Sequence, residues 1–166
     1  MDERKEPRMY RTPSRLPEEA RVRVAEALDA TLADGLDLHS HLKMAHWNVK
    51  GPHFAALHPL YETFATALAG FNDQVAERAV TLGARVHGTA RQVARASRIP
   101  DYPADAVRDL DTVSHLADRI EAYLEGVRKG RDVAQSKDDQ DTVDLLTGVV
   151  EEFEKNAWFL RATLEK

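Results

Sequence analysis

The sequence predicts an all-α fold, a bundle of four long helices, from three observations. Apolar residues recur at alternating spacings of three and four along four long segments, which is the periodicity of amphipathic helices. Segments with the alternating pattern of a β-strand are nearly absent. Glycine and proline interrupt the pattern between the segments, at Gly51-Pro52, at Gly83 and at Pro100. The length of 166 residues suits a single domain with its own core.

A short loop joins the first two predicted helices. Proline suits the first turn of a helix and acids suit its positive end, so Pro17, which two glutamates follow, marks the start of the first helix. Gly51-Pro52 ends this helix. The second helix carries an apolar stripe over residues 57–82. Pro59 falls early in that stripe, where its cost to the helix is reduced.

A long connection, residues 83–111, separates the second helix from the third and has room for a further short helix. The third and fourth helices follow at 113–134 and 143–164. A helix of about 28 residues is roughly 42 Å long, so the long connection can return the chain along the bundle. This order of short loop, long crossover and short loop is the connectivity of a ferritin-like four-helix bundle. We therefore predict a flexible N-terminal arm over 1–16 and a ferritin-like bundle domain over 17–166.

The composition is typical of a soluble globular protein. Hydrophobic residues make up 43% and charged residues 31%, and no apolar run approaches the roughly 20 residues of a membrane span. Residues 1–11 are densely charged and lack the apolar segment of a secretory signal, so we expect a cytoplasmic protein. Without cysteine, the chain can form neither disulfides nor thiolate metal sites. The net charge of -5 argues against a dedicated nucleic-acid binder, which needs a basic face.

Five side chains have the chemistry of a metal site. His58 and Glu62 are four residues apart on the second helix and share a face, and Asp73 and Glu77 repeat this spacing farther along. His46 ends the first helix, across the short loop from His58. Taken singly, each pair is typical of a solvated helix face. Taken together, imidazoles and carboxylates are the ligands that iron prefers in a site open to oxidants.

These five residues cannot bind one ion within a single chain. His58 and Asp73 are 15 residues apart, which is roughly 22 Å along a helix. A common site therefore needs two copies of the second helix to cross at a two-fold axis, and the closed dimer then has two such sites. One subunit would provide His46, His58 and Glu62, and its mate would provide Asp73 and Glu77. A site inside one bundle instead uses Glu-x-x-His pairs, and no Glu here precedes a His by three residues.

A long motif with fixed spacing surrounds these residues. It reads His46-Trp47-Asn48-Val49-Lys50-Gly51, then Phe54 and Leu57-His58, and finally Asp73-x-x-Ala76-Glu77-Arg78-x-x-x-Leu82-Gly83. In this motif the chain closely resembles the Dps family (DNA-binding protein from starved cells). Looser similarity extends the resemblance over most of the chain after residue 20, through Tyr102-Pro103, Asp144-Leu145-Leu146-Thr147 and Trp158-Phe159-Leu160.

The resemblance implies a dodecameric shell that oxidises Fe(II), commonly with hydrogen peroxide, and stores ferric mineral. It places iron, up to two ions per site, on the family's ferroxidase ligands, which match His46, His58, Asp73 and Glu77. Many members have Asp where this chain has Glu62, and the extra methylene shifts the carboxylate by about 1 Å. Trp47 adjoins the site. By the resemblance it absorbs stray oxidising equivalents, and packing at the dimer interface is the alternative.

The acids at the start of the fourth helix, Asp139, Asp141 and Asp144, have two interpretations. They stabilise the helix N-terminus through its dipole, or, by the resemblance, they line the pores through which Fe(II) enters. The histidines that match no family ligand are predicted to be surface or packing residues, and they are His39, His41, His53, His87 and His115. His39 lies seven residues before His46 and therefore on the same helical face.

Two functions from different classes stay open. The leading one is an iron-storing ferroxidase that protects against oxidative damage. The alternative is a nucleoid-compacting DNA-binding structural protein with secondary ferroxidase activity. DNA binding in the family often depends on a lysine-rich arm. Residues 1–15 contain only one lysine, and together with four arginines it makes five cations against three acids, a net charge of +2. We expect DNA binding to be weak. The residues predicted to contact DNA are the five cations of the arm, Arg4, Lys5, Arg8, Arg11 and Arg15.

Overall fold

Four long helices and one short helix make up the described part of the chain. The computed structural model describes residues 9–165, with the helices α1 Glu18–Asn48, α2 Phe54–Thr81, α3 Ala90–Ala96, α4 Asp109–Ser136 and α5 Gln140–Leu164. Over these residues no strand forms, and one isolated bridge pairs Lys50 with Arg108. The predicted all-α fold is confirmed, and α3 is the short helix for which the long connection has room.

The long helices pack as two pairs around one core. α1 lies along α2 and α4 lies along α5, while contacts between α1 and α4 and between α2 and α5 join the pairs. Both tyrosines in the centre of the core, Tyr61 and Tyr123, are fully buried. The Tyr61 hydroxyl lies 2.8 Å from the hydroxyl of Thr112, which joins α2 to α4. A four-helix bundle with a long crossover after its second helix is thus confirmed.

Local chemistry sets the ends of the first two helices. Pro17 is the N-cap of α1, and its carbonyl oxygen accepts the first helical hydrogen bond from Arg21 N–H at 3.0 Å. α2 continues through Pro59, which is its sixth residue and removes one main-chain donor. Gly83 follows α2 with a φ of +96°, a conformation that favours glycine. A Cβ atom at Gly83 would lie 2.5 Å from the Tyr10 carbonyl oxygen, so the chain also needs glycine for space.

An ion pair between a buried aspartate and an exposed arginine fixes the crossover to α1. Asp34 lies in the middle of α1 and is only 1% exposed. Its carboxylate accepts three hydrogen bonds from Arg98, from the backbone N–H at 2.8 Å, from Nε at 2.9 Å and from Nη2 at 2.6 Å. A buried carboxylate is stable only when it is paired. The pair therefore sets the path by which the crossover returns to the start of α4.

The described part of the arm, residues 9–16, passes the C-terminal end of α2. The backbone N–H of Tyr10 donates to the Gly83 carbonyl oxygen at 2.7 Å. The predicted arm, residues 1–16, is described only in part, and its flexibility stays a prediction. Among the described helices, none is both long enough and apolar enough to cross a membrane.

Candidate metal centre

Two of the predicted ligands, His46 and His58, face each other across the loop between α1 and α2. Their rings stack with centroids 3.8 Å apart. His46 Nδ1 lies 2.8 Å from the His58 carbonyl oxygen, and His58 Nδ1 lies 2.9 Å from the His46 carbonyl oxygen. A carbonyl oxygen accepts and never donates, so both Nδ1 atoms carry the proton. Each Nε2 atom is therefore the ring nitrogen left for a metal, and an Nδ1–H bound to a carbonyl oxygen is the arrangement of a histidine that binds metal.

Glu62 completes one half of the predicted site. Its carboxylate lies one turn after His58 and 3.5 Å from His46 Nε2. Lys43, on α1, forms an ion pair with the same carboxylate oxygen. The hydrogen bond from Lys43 holds the pKa of the Glu62 carboxyl below its usual range, so this group is ionised at neutral pH. One chain therefore places His46 next to both His58 and Glu62, although these three side chains do not form a metal site by themselves.

The other two predicted ligands, Asp73 and Glu77, lie on the later part of α2 with exposed side chains. Because α2 is one continuous helix, positions 58 and 73 are separated by roughly 22 Å along it. Within one chain, no group of three His, Asp or Glu side chains among residues 9–165 is close enough to hold a metal ion. The single chain does not join the two halves of the site, and their union between subunits stays a prediction.

Three exposed apolar side chains, which we call the apolar rim, lie on the two segments that carry the histidine pair, and they are Met44, Trp47 and Phe54. Trp47 is 65% exposed, and Lys43 Nζ lies 5.7 Å from the centroid of its ring. Met44 and Phe54 are also exposed, and the Phe54 ring lies against His58 with centroids 5.1 Å apart. Large apolar side chains clustered beside a polar site are typical of a surface that another molecule covers.

Asp109, the first residue of α4, holds the loop between α1 and α2. Its side chain is buried, with 3% of the residue exposed. One carboxylate oxygen contacts both the backbone N–H of His53 at 2.9 Å and His53 Nδ1 at 2.8 Å, and the other accepts from Leu110 N–H at 2.9 Å. The hydrogen bond from the His53 backbone is the main reason why the pKa of the Asp109 carboxyl is lowered.

The backbone of the same loop is also attached to the start of α4. Lys50 N–H donates to the Val107 carbonyl oxygen at 2.7 Å, and Asp109 N–H donates to the Lys50 carbonyl oxygen at 2.9 Å. Gly51 has a φ of +140°, and a Cβ atom there would lie 2.5 Å from the Asp109 carboxylate. Asp109 could not be predicted from the sequence, because it is 56 residues from His53 and no spacing rule links the two. The one available signal was Gly51, which marks a close approach.

The remaining histidines have separate surroundings. His41 is buried with its Nε2 atom 3.3 Å from an Asp37 carboxylate oxygen, and burial is the main cause that lowers its pKa. His87 is on the surface, with Nδ1 3.0 Å from an Asp29 carboxylate oxygen. His39 lies in a groove between α1 and α2. None of the three contacts the histidine pair in the described part of the chain.

The three acids at the start of α5 differ in exposure. Asp139 is buried, accepts a hydrogen bond from Thr142 N–H at 3.3 Å as the N-cap of α5, and pairs with Arg78 at 2.6 Å. This pairing gives Asp139 the role at the helix start that was one of its two predicted interpretations, and its place in a pore stays a prediction. Asp141 and Asp144 are exposed, and their carboxylates are open to solvent.

The five cations of the predicted DNA-contacting arm are described only in part. Arg4, Lys5 and Arg8 lie outside the described residues. Arg11 and Arg15 are exposed, and Arg15 lines a groove beside the C-terminal end of α2. Their exposure leaves both guanidinium groups accessible to a polyanion, and DNA contact itself stays a prediction.

The sequence is similar to proteins of one family. The family model of the ferritin-like domain matches residues 25–166. A DNA protection during starvation protein of Agrobacterium fabrum is 34% identical over 157 residues, which cover 95% of this chain and 97% of that protein. DNA protection during starvation protein 2 of Bacillus anthracis is 35% identical over 143 residues, which cover 86% of this chain and 97% of that protein.

Solved structures resemble the fold over nearly the whole chain. Dps of Mycobacterium smegmatis in its tetragonal form has a TM-score of 0.90 and 31% identity, with 96% of each chain covered. DpsC from Streptomyces coelicolor has a TM-score of 0.90 and 30% identity, with 100% of this chain and 97% of that chain covered. The Dps protein from Vibrio cholerae O1 has a TM-score of 0.86 and 28% identity, with 90% of this chain and 94% of that chain covered. It is described as a member of the ferritin-like diiron-carboxylate proteins.

Proposed function

Because this chain belongs to the Dps family of ferritin-like proteins, we propose that it is an iron-storage ferroxidase. It oxidises Fe(II), with hydrogen peroxide as the preferred oxidant. It holds the ferric mineral inside a homo-oligomeric shell in the cytoplasm, a dodecamer as in the family. The observation that carries the proposal is the histidine pair, His46 and His58, whose Nδ1 atoms are bound to carbonyl oxygens and which lies beside the ionised Glu62. Imidazoles with carboxylates are a donor set that suits iron.

The iron site is shared between two subunits. One subunit supplies His46, His58 and Glu62, and its mate supplies Asp73 and Glu77 across a two-fold axis. The separation of roughly 22 Å along α2 supports this arrangement, because ligands so far apart on one continuous helix cannot bind the same ion. The apolar rim beside the histidine pair supports it independently, because contact with a second copy would remove these side chains from water.

Fe(II) is the substrate of this site. Three carboxylates offset the charge of bound iron and stabilise Fe(III) more than Fe(II), which favours oxidation at the site. Two neighbouring Fe(II) ions give one electron each to one molecule of hydrogen peroxide, which takes up two protons and leaves as two molecules of water. Because the two electrons are delivered together, no hydroxyl radical is released. Mineral growth then needs the cavity and no further catalytic side chain.

Two residues beside the ligands modify this chemistry. The Lys43 ammonium group pairs with the Glu62 oxygen that faces His46, so iron binding at Glu62 must displace it. Lys43 thereby lowers the affinity of this half of the site for metal. Trp47 borders the same ion pair, and we expect its indole to absorb oxidising equivalents that escape the site.

Anaerobic titration with Fe(II), followed by separate additions of hydrogen peroxide and oxygen, tests the proposed function. We expect Fe(II) to be oxidised faster by peroxide than by oxygen, and the protein to stay soluble while it loads iron. His87→Ala removes an exposed imidazole away from the site and should leave both rates unchanged, whereas His58→Ala should abolish the site reaction. The proposal fails if the purified protein accelerates neither reaction over a protein-free control.

Asp144→Asn should slow iron uptake into the shell more than it slows oxidation at the site. An exposed acid in a narrow pore concentrates cations by its field, and this effect weakens as ionic strength rises. We expect uptake at low salt to fall about threefold, with the difference removed by added salt. Asp111→Asn is the matched control because Asp111 is an exposed acid in the first turn of α4. Equal uptake by both variants at low salt would leave Asp144 as a helix-start acid only.

DNA binding is a second candidate function, which the names of the relatives favour. We expect it to be weak and to disappear in moderate salt, because the arm offers five cations at most. The measurement is electrophoretic retardation of duplex DNA over a salt series, with the full chain and with residues 1–15 deleted. Retardation that resists salt and survives the deletion would assign DNA binding to another surface.

A further inference from the structure

The crossover between α2 and α4 is basic, although the chain as a whole is acidic. Residues 83–100 contain no Asp or Glu and four arginines, which are Arg85, Arg91, Arg95 and Arg98. Their net charge is +4 with histidine counted as neutral, whereas the whole chain has a net charge of -5. The arm, residues 1–15, reaches only +2, because three acids offset its five cations. The crossover is therefore more basic than the arm that was predicted to contact DNA.

Three carboxylates of α1 attach the crossover to the bundle. Each accepts a hydrogen bond from a different residue of the crossover, Asp29 from the His87 backbone at 2.9 Å, Asp37 from the Ser97 hydroxyl at 2.6 Å and Asp34 from Arg98 Nη2 at 2.6 Å. One donor precedes α3 and two follow it, so α3 is held to α1 on both sides. The acids of α1 that face the crossover are thus engaged with these donors.

Arg91 and Arg95 share the outward face of α3. They are four residues apart, so they lie on the same side of the helix. Val93 is the buried residue of α3, with 8% exposure, and it lies about 200° around the helix from each arginine. Because Val93 faces the bundle, both arginines face away from it, and both are exposed.

The three arginines before and within α3 are exposed and have no ion pair. Within residues 9–165, the ion pairs of the crossover are those of His87 and Arg98 with α1. Arg85, Arg91 and Arg95 therefore present full charges to the solvent, and we call these three residues the crossover surface. Since α3 is fixed to α1, the backbone that carries Arg91 and Arg95 is already ordered before a partner binds.

We propose that the crossover surface is a docking surface for duplex DNA. Guanidinium groups bind phosphate oxygens in a bidentate manner, and B-DNA has one phosphate charge per roughly 1.7 Å of its axis. Residues 83–100 contain no Phe, Tyr or Trp on which the bases of a single strand could stack, which favours the duplex. Contacts to phosphates alone make the binding independent of sequence and sensitive to salt.

This inference rests on the second candidate function, DNA binding, and gives it a contact surface in addition to the arm. It changes one expectation, which concerns the chain that lacks residues 1–15. If the arm were the whole contact surface, its deletion would abolish binding at every salt concentration. With the crossover surface, the shortened chain still binds at low salt, and moderate salt releases the DNA from both proteins.

Binding of assembled shells to a fluorescent duplex of mixed sequence, measured by anisotropy over a salt series, tests the crossover surface. We expect a double variant, Arg91→Gln with Arg95→Gln, to bind about tenfold more weakly than the wild type at low salt, because it loses two phosphate contacts per engaged subunit. The slope of log affinity against log salt should fall by about two per engaged subunit. The same difference should appear between the two proteins when residues 1–15 are deleted from both.

Arg128→Gln with Lys155→Gln is the matched control, because it removes the same charge from α4 and α5. Both cations already pair with glutamates, so their loss should leave the DNA affinity close to that of the wild type. Native mass and the rate of peroxide-driven Fe(II) oxidation, which should be unchanged, establish that each variant is folded and assembled. They also keep this test separate from the proposed ferroxidase.

The crossover surface is overturned if wild type and the Arg91, Arg95 variant bind the duplex equally, or if the control loses as much affinity as that variant. It is also overturned if the variant loses more affinity for the single strand, or for phosphatidylglycerol vesicles, than for the duplex, since another polyanion would then be the partner. A wild-type shell that binds no duplex at low salt would overturn the second candidate function together with this inference.

Discussion

Shells assembled only from His58→Ala subunits will not oxidise Fe(II) at the shared site, and neither will shells assembled only from Glu77→Ala subunits. In each homomer every site lacks one ligand, whichever subunit supplies it. The reason to expect complementary defects is the structure of α2, which places the two residues on one continuous helix but too far apart to bind the same ion. Initial rates of peroxide-driven oxidation at low iron load measure the effect before mineral growth contributes.

Mixed shells of the two variants should regain about one quarter of the wild-type activity, because random assembly makes half of the dimers mixed and each has one intact site of two. In a mixed dimer, one site combines the wild-type His58 with the wild-type Glu77, and the other site lacks both residues. Two affinity tags, one for each variant, followed by native mass spectrometry, select shells that contain both. The rate per shell is then compared with that of the two homomers.

A mixture of His87→Ala and Glu77→Ala subunits is the control for this experiment, because it shows the activity of mixed shells in which one variant has no ligand defect. His87 is not a ligand, so this mixture should keep about half of the activity under any location of the site. A site within one chain predicts a different result for the first mixture, because each subunit would carry its own defect and mixing would restore nothing. Inactive mixed shells of confirmed composition would therefore contradict the two-fold site.

The helices were predictable because their ends carry local signals. Pro17 caps α1 through its own backbone carbonyl, and Gly83 follows α2 with a positive φ that few other residues adopt. The histidine pair was predictable for a similar reason. A loop of a few residues joins the helices of His46 and His58, so the two rings had little freedom to separate. Information of this kind is contained within one or two turns of chain.

Contacts between distant segments left no comparable signal. Asp34 meets Arg98 across 64 residues, and the sequence around Asp34 reads as an ordinary helix. Lys43 meets Glu62 only because α1 and α2 pack side by side, and no motif marks that pair. Such contacts depend on the relative rotation and translation of helices, which apolar periodicity does not define to the accuracy of a hydrogen bond. The sequence therefore predicts ligands more readily than the groups that position them.

Asp109→Ala should weaken Co(II) binding at the histidine pair by about tenfold, because groups that orient metal ligands typically contribute that much. The buried carboxylate accepts hydrogen bonds from the loop that joins His46 to His58, and its removal leaves the part-buried backbone N–H groups of His53 and Leu110 without this acceptor. We also expect a lower melting temperature. The Asp109 pKa is lowered in the folded protein, so its stabilising effect is present above the unfolded-state pKa of about 4 and is lost as pH falls through the folded-state value. The stability gap between wild type and variant should therefore narrow in acid.

Asp34→Ala is the matched control for Asp109→Ala, since Asp34 is also a buried carboxylate with three hydrogen-bond donors but holds the crossover instead of the loop. Both variants should melt at lower temperature than the wild type. Of the two variants, Asp109→Ala alone should lose affinity for Co(II), because Asp109 contacts the segment between the two histidines and Asp34 contacts the crossover. Calorimetric titration well below both melting temperatures compares the two proteins in their folded states. Equal Co(II) affinity in Asp109→Ala and the wild type would show that the reciprocal hydrogen bonds of His46 and His58 orient the rings without help from α4.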